Sequence, residues 1–426
     1  MKQFVVPLTA HEATDADLVG PKAANLAALG RAGLPIPGGF CLTAEGYRYQ
    51  LKELGLEESV RAFTAAKLPE ARRRAVEIRL ALYEQPVASA IREPLLSAWR
   101  AQKQSARPGV VRSSALIEDR AGANFAGQFE SFLGLDNEAD LLTAVRACWA
   151  ALWSTAVRRY MENQGSNPAE TAMAVLIQPL VSARASGGGL SRMPDEQMLV
   201  SATWGLGSTI AQGEVVPDRI ELDRTGSVRK IEPGRKDHSD GCVHGRGSVA
   251  EAVPHELVDA PCLDAEQASL IGRMLRRAED VLGMPVEIEW ALDDAGFKLL
   301  QARPLHMQVV DIPDEIWLRH PGLNGHPAGI GWGSGRAVVV NCECELTRVG
   351  HGDILVTKVA GPALSHILPR VAGVVSERGG STSHLASLAR ERGIPMVLGV
   401  LDATRRIPDG SQVAVDGVAG VVRWMR

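Results

Sequence analysis

The residue best placed to do chemistry is His384, at the end of the run Arg378-Gly379-Gly380-Ser381-Thr382-Ser383-His384. The apolar, β-branched stretch Val371 to Ser376 predicts a strand, and Gly379-Gly380 a tight turn. Leu385, Leu388 and Ala389 share one face of a predicted helix from His384 to Arg392. His384 then stands in the first helical turn, where unpaired N–H groups and the positive end of the helix dipole attract anions. Ser381, Thr382 and Ser383 occupy the positions of capping hydroxyls. An imidazole beside such an anion site is equipped to carry a phosphoryl group. A histidine that merely caps or packs is the simpler account of the ring alone, but the glycine turn and the triple hydroxyl run favour phosphoryl chemistry.

Other residues have the character that phosphate chemistry needs. Lys22 follows Gly20-Pro21 at the start of a predicted helix, Ala23 to Arg31; alone it reads as a solvated lysine. Arg112 follows Val110-Val111 and precedes Ser113-Ser114, which places a guanidinium at a strand end. Its fork suits phosphate oxygens, and an ion pair with Glu118 or Asp119 is the competing use. Gln178 is the polar exception in the apolar strand Thr171 to Val181. Near residue 290, Val286 to Leu292 and Phe297 to Arg303 predict two strands around Asp293-Asp294-Ala295-Gly296. With Gly296 left-handed, Glu289 sits opposite Gln301, and Glu287 and Arg303 share a face. A carboxylate and an amide oxygen so placed suit Mg²⁺ held against nucleotide phosphates; a surface hairpin with polar pairs is the alternative.

These stretches resemble the dikinase family that includes phosphoenolpyruvate synthase, pyruvate phosphate dikinase and rifampin phosphotransferase. The run Gly379 to His384, with Ala389-Arg390 and Gly393-Ile394-Pro395, is similar to its phosphohistidine motif. DLVGPKAANLAALGRAGLPIPGGFCLT resembles the opening of its ATP-binding domain, and EIEWALDDAGFKLLQARPL the closing signature. The resemblance implies an α/β (α+β) chain. Residues 1–305 would form an ATP-grasp domain of two subdomains split near 180, residues 306–321 a linker, and residues 322–426 a small swivelling phosphohistidine domain. It implies ATP contacts from Lys22, Arg112, Gly127, Ser131, Gln178, Glu289, Gln301 and Arg303, with Glu289 and Gln301 as the Mg²⁺ ligands. His384 would carry the phosphoryl group, with Thr382 and Ser383 bonded to it and Arg303 assisting. The sequence departs from the family at Pro21, where glycine or serine is usual, and at Ser208, where a glutamate usually follows Trp204-Gly205-Leu206-Gly207.

The implied reaction converts ATP to AMP, phosphate and a phosphorylated acceptor. No pyruvate-binding barrel or inserted antibiotic-binding domain is recognisable, so the acceptor is expected on a separate subunit: a phenolic compound, as in aryl-phosphate synthases, or pyruvate. A self-contained kinase of a small hydroxylated metabolite or antibiotic, and a non-catalytic regulatory homologue, are the alternatives.

The elements that must hold these groups fit an ordinary globular composition. The chain has 426 residues, 45% hydrophobic and 23% charged, and a net charge of −4, with no dominant basic stretch to suggest nucleic acid. That length suffices for several cores. Alanine-rich helical patterns from Glu57 to Lys103 read as scaffold. No apolar run approaches a membrane span of roughly 20 residues, and no signal peptide is evident, so a cytoplasmic location is expected. The six cysteines form no CxxC pair, and reduced thiols are expected, with no metal role for Cys342 and Cys344.

Overall fold

The computed structural model describes residues 3–103, 107–118, 129, 131–163, 165–243, 247–306, 317 and 320–425. It divides into two compact units, the first comprising residues 1–182, 241–249 and 295–303, and the second the remainder.

The first unit is built on a sheet of β1 (Val5–Pro7), β2 (Phe40–Leu42), β3 (Gly109–Ala115), β4 (Ser131–Leu135) and β5 (Met173–Pro179), in the order β1-β2-β5-β3-β4. β5 is central, and its residues Met173 to Ile177 are fully buried, as an unbroken apolar run requires. Pro179 occurs at its end, where the missing N–H costs no internal ladder bond. Around this sheet lie α1 (Ala16–Val19), α2 (Pro21–Arg31), α3 (Ala44–Glu53), α4 (Glu57–Ala65), α5 (Leu68–Glu84), α6 (Ser89–Lys103), α7 (Glu138–Ala151) and α8 (Thr155–Asn163). Trp149 and Trp153 are buried, and the Trp153 indole donates to the Tyr47 hydroxyl at 2.8 Å, which satisfies a buried N–H. Pro21 opens α2 in its first turn, so the departure from the family at that position leaves the helix intact.

The second unit holds two sheets. In the first, β6 (Ala185–Leu190), β7 (Met198–Trp204), β8 (Asp218–Leu222) and β9 (Val228–Glu232) run antiparallel, with β12 (Val286–Asp293) paired to the outer side of β6. β10 (His238–Val243) and β11 (Gly247–Ala252) form a separate ribbon. α9 (Ser208–Ala211) follows β7. α10 (Ala265–Leu282) packs on the sheet behind an Asp264/Gln267 capping box and stops at Gly283, whose φ of 72° is left-handed. β13 (Gly296–Pro304) is counted, up to Arg303, with the first unit.

The other sheet has eight strands, β14 (Gly322–Asn324), β15 (His326–Gly329), β16 (Trp332–Val340), β17 (Ile354–Thr357), β18 (Gly373–Ser376), β19 (Met396–Leu398), β20 (Gln412–Asp416) and β21 (Val421–Met425). Their order is β14-β21-β20-β16-β17-β18-β19-β15. The centre, β16 to β19, is parallel and buried, with Ile354, Val356, Val375 and Val397 in its core. α11 (His384–Glu391) connects β18 to β19, and α12 (Ala403–Arg406) follows β19. After Gly361 the chain makes a 3₁₀ turn, Pro362–His366, and β20 and β21 form an antiparallel hairpin. Cys342 and Cys344 are joined as a disulfide, which corrects the expectation of reduced thiols at this pair. Cys342 caps the 3₁₀ turn Glu343–Arg348 that contains Cys344, and the bend brings their Cα atoms to 5.4 Å. No helix among the described residues is long and apolar enough to cross a membrane.

Candidate active site

His384 is the first residue of α11, and Ser383 is the N-cap, its hydroxyl accepting from the Ala386 N–H at 3.2 Å. Of the three hydroxyls before the helix, therefore, Ser383 does the capping. Ser381 turns away to donate to the Pro327 carbonyl of β15. The Thr382 hydroxyl is shielded from solvent and has no hydrogen-bond partner among the described residues. A shielded hydroxyl without a partner is costly and suits a site that receives a polar group from outside.

The loop does not stand alone. Within the second unit it rests against the sheet of β6 to β9 and β12. The Arg378 guanidinium donates to the Glu214 carbonyl at 2.9 Å, and the Gly379 N–H to the Val215 carbonyl at 3.0 Å. Gly379 has φ 99°, which a tight turn demands of glycine. Gly380 is needed for a different reason: a Cβ there would lie 2.4 Å from Pro217 Cγ.

On β6, a Cβ at Gly188 would lie 2.6 Å from Thr382 Cβ, so the loop touches bare backbone. Gly188 pairs with Glu289 of β12 on one side and with Ser201 of β7 on the other. Directly opposed residues point to one face of a sheet. Glu289, half-buried, therefore shares the face that Thr382 covers, and so do Glu287, Ser186 and Thr203. The Ser186 and Thr203 hydroxyls are also buried without partners among the described residues. Further along this face Arg219 approaches His326 of β15, and burial, with Arg219 adding to it, pushes that imidazole down to about 4.

One contact was invisible in the sequence. Arg390, six residues into α11, forms a buried ion pair with Glu287 at 3.0 Å, and Ser387 donates to the same carboxylate oxygen at 3.2 Å. The one signal available for Glu287 was its place two residues before Glu289, hence on the same face.

The remaining candidates lie in the first unit. Lys22 is in the first turn of α2, its ammonium 2.8 Å from the Ser113 carbonyl and 3.2 Å from Glu118. Arg112 donates to the Leu300 carbonyl at 2.7 Å and to Gln301 Oε1 at 2.8 Å. Glu118 thus pairs with Lys22. Ser131, on β4, pairs with Arg112 across the ladder and is exposed. Gln178 is buried and donates to the Gly38 carbonyl at 2.9 Å. Arg303, near the end of β13, is buried. Gly127 and Asp119 lie outside the described residues. Ser208, at the start of α9, donates to Asp240.

The model of the pyruvate phosphate dikinase AMP/ATP-binding domain matches residues 16–315, and that of the mobile domain of PEP-utilising enzymes matches residues 349–420. The chain belongs to the PEP-utilising dikinase family. Phosphoenolpyruvate synthase of Pyrococcus furiosus is 31% identical over 467 residues, which cover 96% of this chain and 57% of that protein. A probable phosphoenolpyruvate synthase of Methanothermobacter thermautotrophicus is 31% identical over 421 residues, 96% of this chain and 61% of that protein. The Escherichia coli phosphoenolpyruvate synthase is 29% identical, over 95% of this chain and 55% of its own length. The chain thus spans rather over half the length of these family members. The α/β class, with a nucleotide-binding module ahead of a mobile-domain module, is as the sequence implied.

Proposed function

We propose that this chain is the phosphoryl-donor part of a dikinase-type phosphotransferase. In this reading His384 takes a phosphoryl group from ATP and passes it to an acceptor on a partner subunit, a phenolic compound or pyruvate. The observation that carries the reading is the loop before His384 lying against the sheet face that bears Glu289, with the Thr382 hydroxyl unpartnered among the described residues.

The chemistry is constrained by its products. Release of AMP requires that a nitrogen of neutral His384 attack the β-phosphorus, with AMP leaving on the electron pair of the broken anhydride. The group left on the ring then loses its terminal phosphate to water, and one phosphoryl remains for transfer. Such steps depend on positioning and on offsetting phosphate charge. Lys22, Arg112 and Arg303 are the cations assigned to that role, and the N-terminus of α11 with Thr382 receives the transferred group. Gln178, Ser131 and Gly127 are assigned to the nucleotide.

Glu289 and Gln301 are the residues that would hold Mg²⁺, which when bound neutralises phosphate charge. Gln301 Oε1 already accepts from Arg112 but keeps a second lone pair. No group of three acids, histidines or cysteines able to hold a metal occurs among the described residues. One carboxylate and one amide oxygen suit an ion that takes most of its oxygens from phosphate and water.

Intact-mass analysis after incubation with ATP and Mg²⁺ is expected to show one acid-labile phosphate, absent in His384→Ala, with AMP released. An unmodified wild-type chain overturns the proposal. Transfer to phenol or pyruvate by the isolated chain would overturn its partner-subunit part.

A further inference from the structure

Arg390 and Glu287 stand 103 residues apart in sequence and are 3% and 4% exposed, yet they meet at 3.0 Å. The same guanidinium donates to the carbonyls of Ala328, at 3.0 Å, and Ser381. One side chain thus ties together β15, the loop before His384 and α11, and fastens all three to β12. The spacing on each element matters. Ser387 and Arg390 follow His384 at successive intervals of three, so their side of α11 is one turn from the imidazole. Glu287 precedes Glu289 by one pleat repeat on the same sheet face.

The geometry points to Glu287 and Arg390 as a docking latch, positioning residues that hold His384 beside the Glu289 face while it takes its phosphoryl group. The inference rests on the function proposed above. A charge pair suits a docking surface that must also release. When the surfaces part, Glu287 returns to water and Arg390 keeps the Ala328 and Ser381 carbonyls on its own side. When they meet, each compensates the other, and loss of one leaves a buried unpaired charge that opposes docking. An apolar pair of the same size would lack this conditional character.

The test uses the full chain. In single-turnover reactions at saturating ATP and Mg²⁺, Glu287→Gln and Arg390→Gln are each expected to form phosphohistidine at least tenfold more slowly, with nucleotide affinity within twofold of wild type. The double variant should be no slower than the worse single one, because the two residues serve one interaction. A wild-type rate in Glu287→Gln, multiplied losses in the double variant, or recovery at raised Mg²⁺, which would make Glu287 a metal ligand, each overturns the latch. Should Arg390→Gln fail to fold, Arg390→Lys and Ser387→Ala serve in its place, each expected to slow the step. Amide hydrogen exchange gives an arm independent of ATP. Faster exchange at Glu287–Glu289 and in the first turn of α11 is expected in Glu287→Gln, and unchanged exchange overturns the proposal. A wild-type chain that takes no phosphate defeats the functional reading, and the exchange arm still decides the latch.

Discussion

Replacing Gly188 by alanine separates docking from stability. Gly188 does not occupy the left-handed region, so an L residue fits its backbone. The three atoms nearest to the added Cβ all belong to Thr382, at 2.6, 2.8 and 3.0 Å. The methyl group therefore meets the loop before His384 and nothing closer in its own sheet. Overpacking of this kind costs about 1–3 kcal/mol, which lowers the ratio of docked to undocked molecules by roughly 5- to 150-fold. The undocked sheet is spared these three contacts, and the substitution removes a flexible glycine from the unfolded state, a gain of about 0.4–1 kcal/mol. Gly188→Ala should thus retain or raise the thermal midpoint of the nucleotide-binding module and keep its ATP affinity, while phosphohistidine formation slows by about one order of magnitude. Quench-flow with acid-stable and acid-labile counting, beside a thermal melt, reads both. Phosphorylation at the wild-type rate would refute the docked geometry; a fall in both rate and midpoint would show that the methyl disturbs the sheet rather than the loop.

Other outcomes follow from buried groups. Lys236 and Asp218 form a fully buried ion pair, and Asp218 also accepts from the Gly234 and Cys262 N–H groups. Lys236→Met should destabilise its unit by about 3–5 kcal/mol in urea unfolding, since the carboxylate stays behind unpaired; a loss below about 1 kcal/mol contradicts this. Ser383→Ala removes the α11 cap and should cost about 0.5–2 kcal/mol, visible as faster amide exchange in residues 384–387. The folded His326 pKa of about 4 lies below the ordinary 6.5, so between these values the unfolded chain binds the extra proton. Stability should be full above pH 6.5 and decline on acidification toward pH 4, and His326→Asn should flatten that part of the profile.

What the sequence disclosed was local. The turn at Gly379-Gly380 and the helix from His384 were readable because glycine conformation, capping hydroxyls and helical spacing act within a few residues. The predicted helix ran to Arg392 and the observed one stops at Glu391. β19 leaves no signal in the sequence, because three residues after Gly393-Ile394-Pro395 give no alternation to detect. Gly380 reads as turn chemistry in the sequence, whereas its crowding against Pro217 arises only when distant segments meet. The same holds for Arg112, whose partners on β13 lie nearly 190 residues away, and for Arg390 on Glu287. Charge types could be listed from the chain, but their pairing is decided by tertiary contact.

α11 follows β18, a strand buried along its whole length between two parallel neighbours, across the loop of residues 377–383. That loop is itself held, Ser381 donating to the Pro327 carbonyl and accepting from Arg390, so the ring does not move apart from the sheet. For His384 to visit a second site, the eight-stranded body must be carried with it, so the slowest such journey has the microsecond-to-millisecond clock of domain reorientation rather than that of a loop. Turnover in such a machine is governed by transport as much as by bond making, and solvent viscosity should then register in its rate.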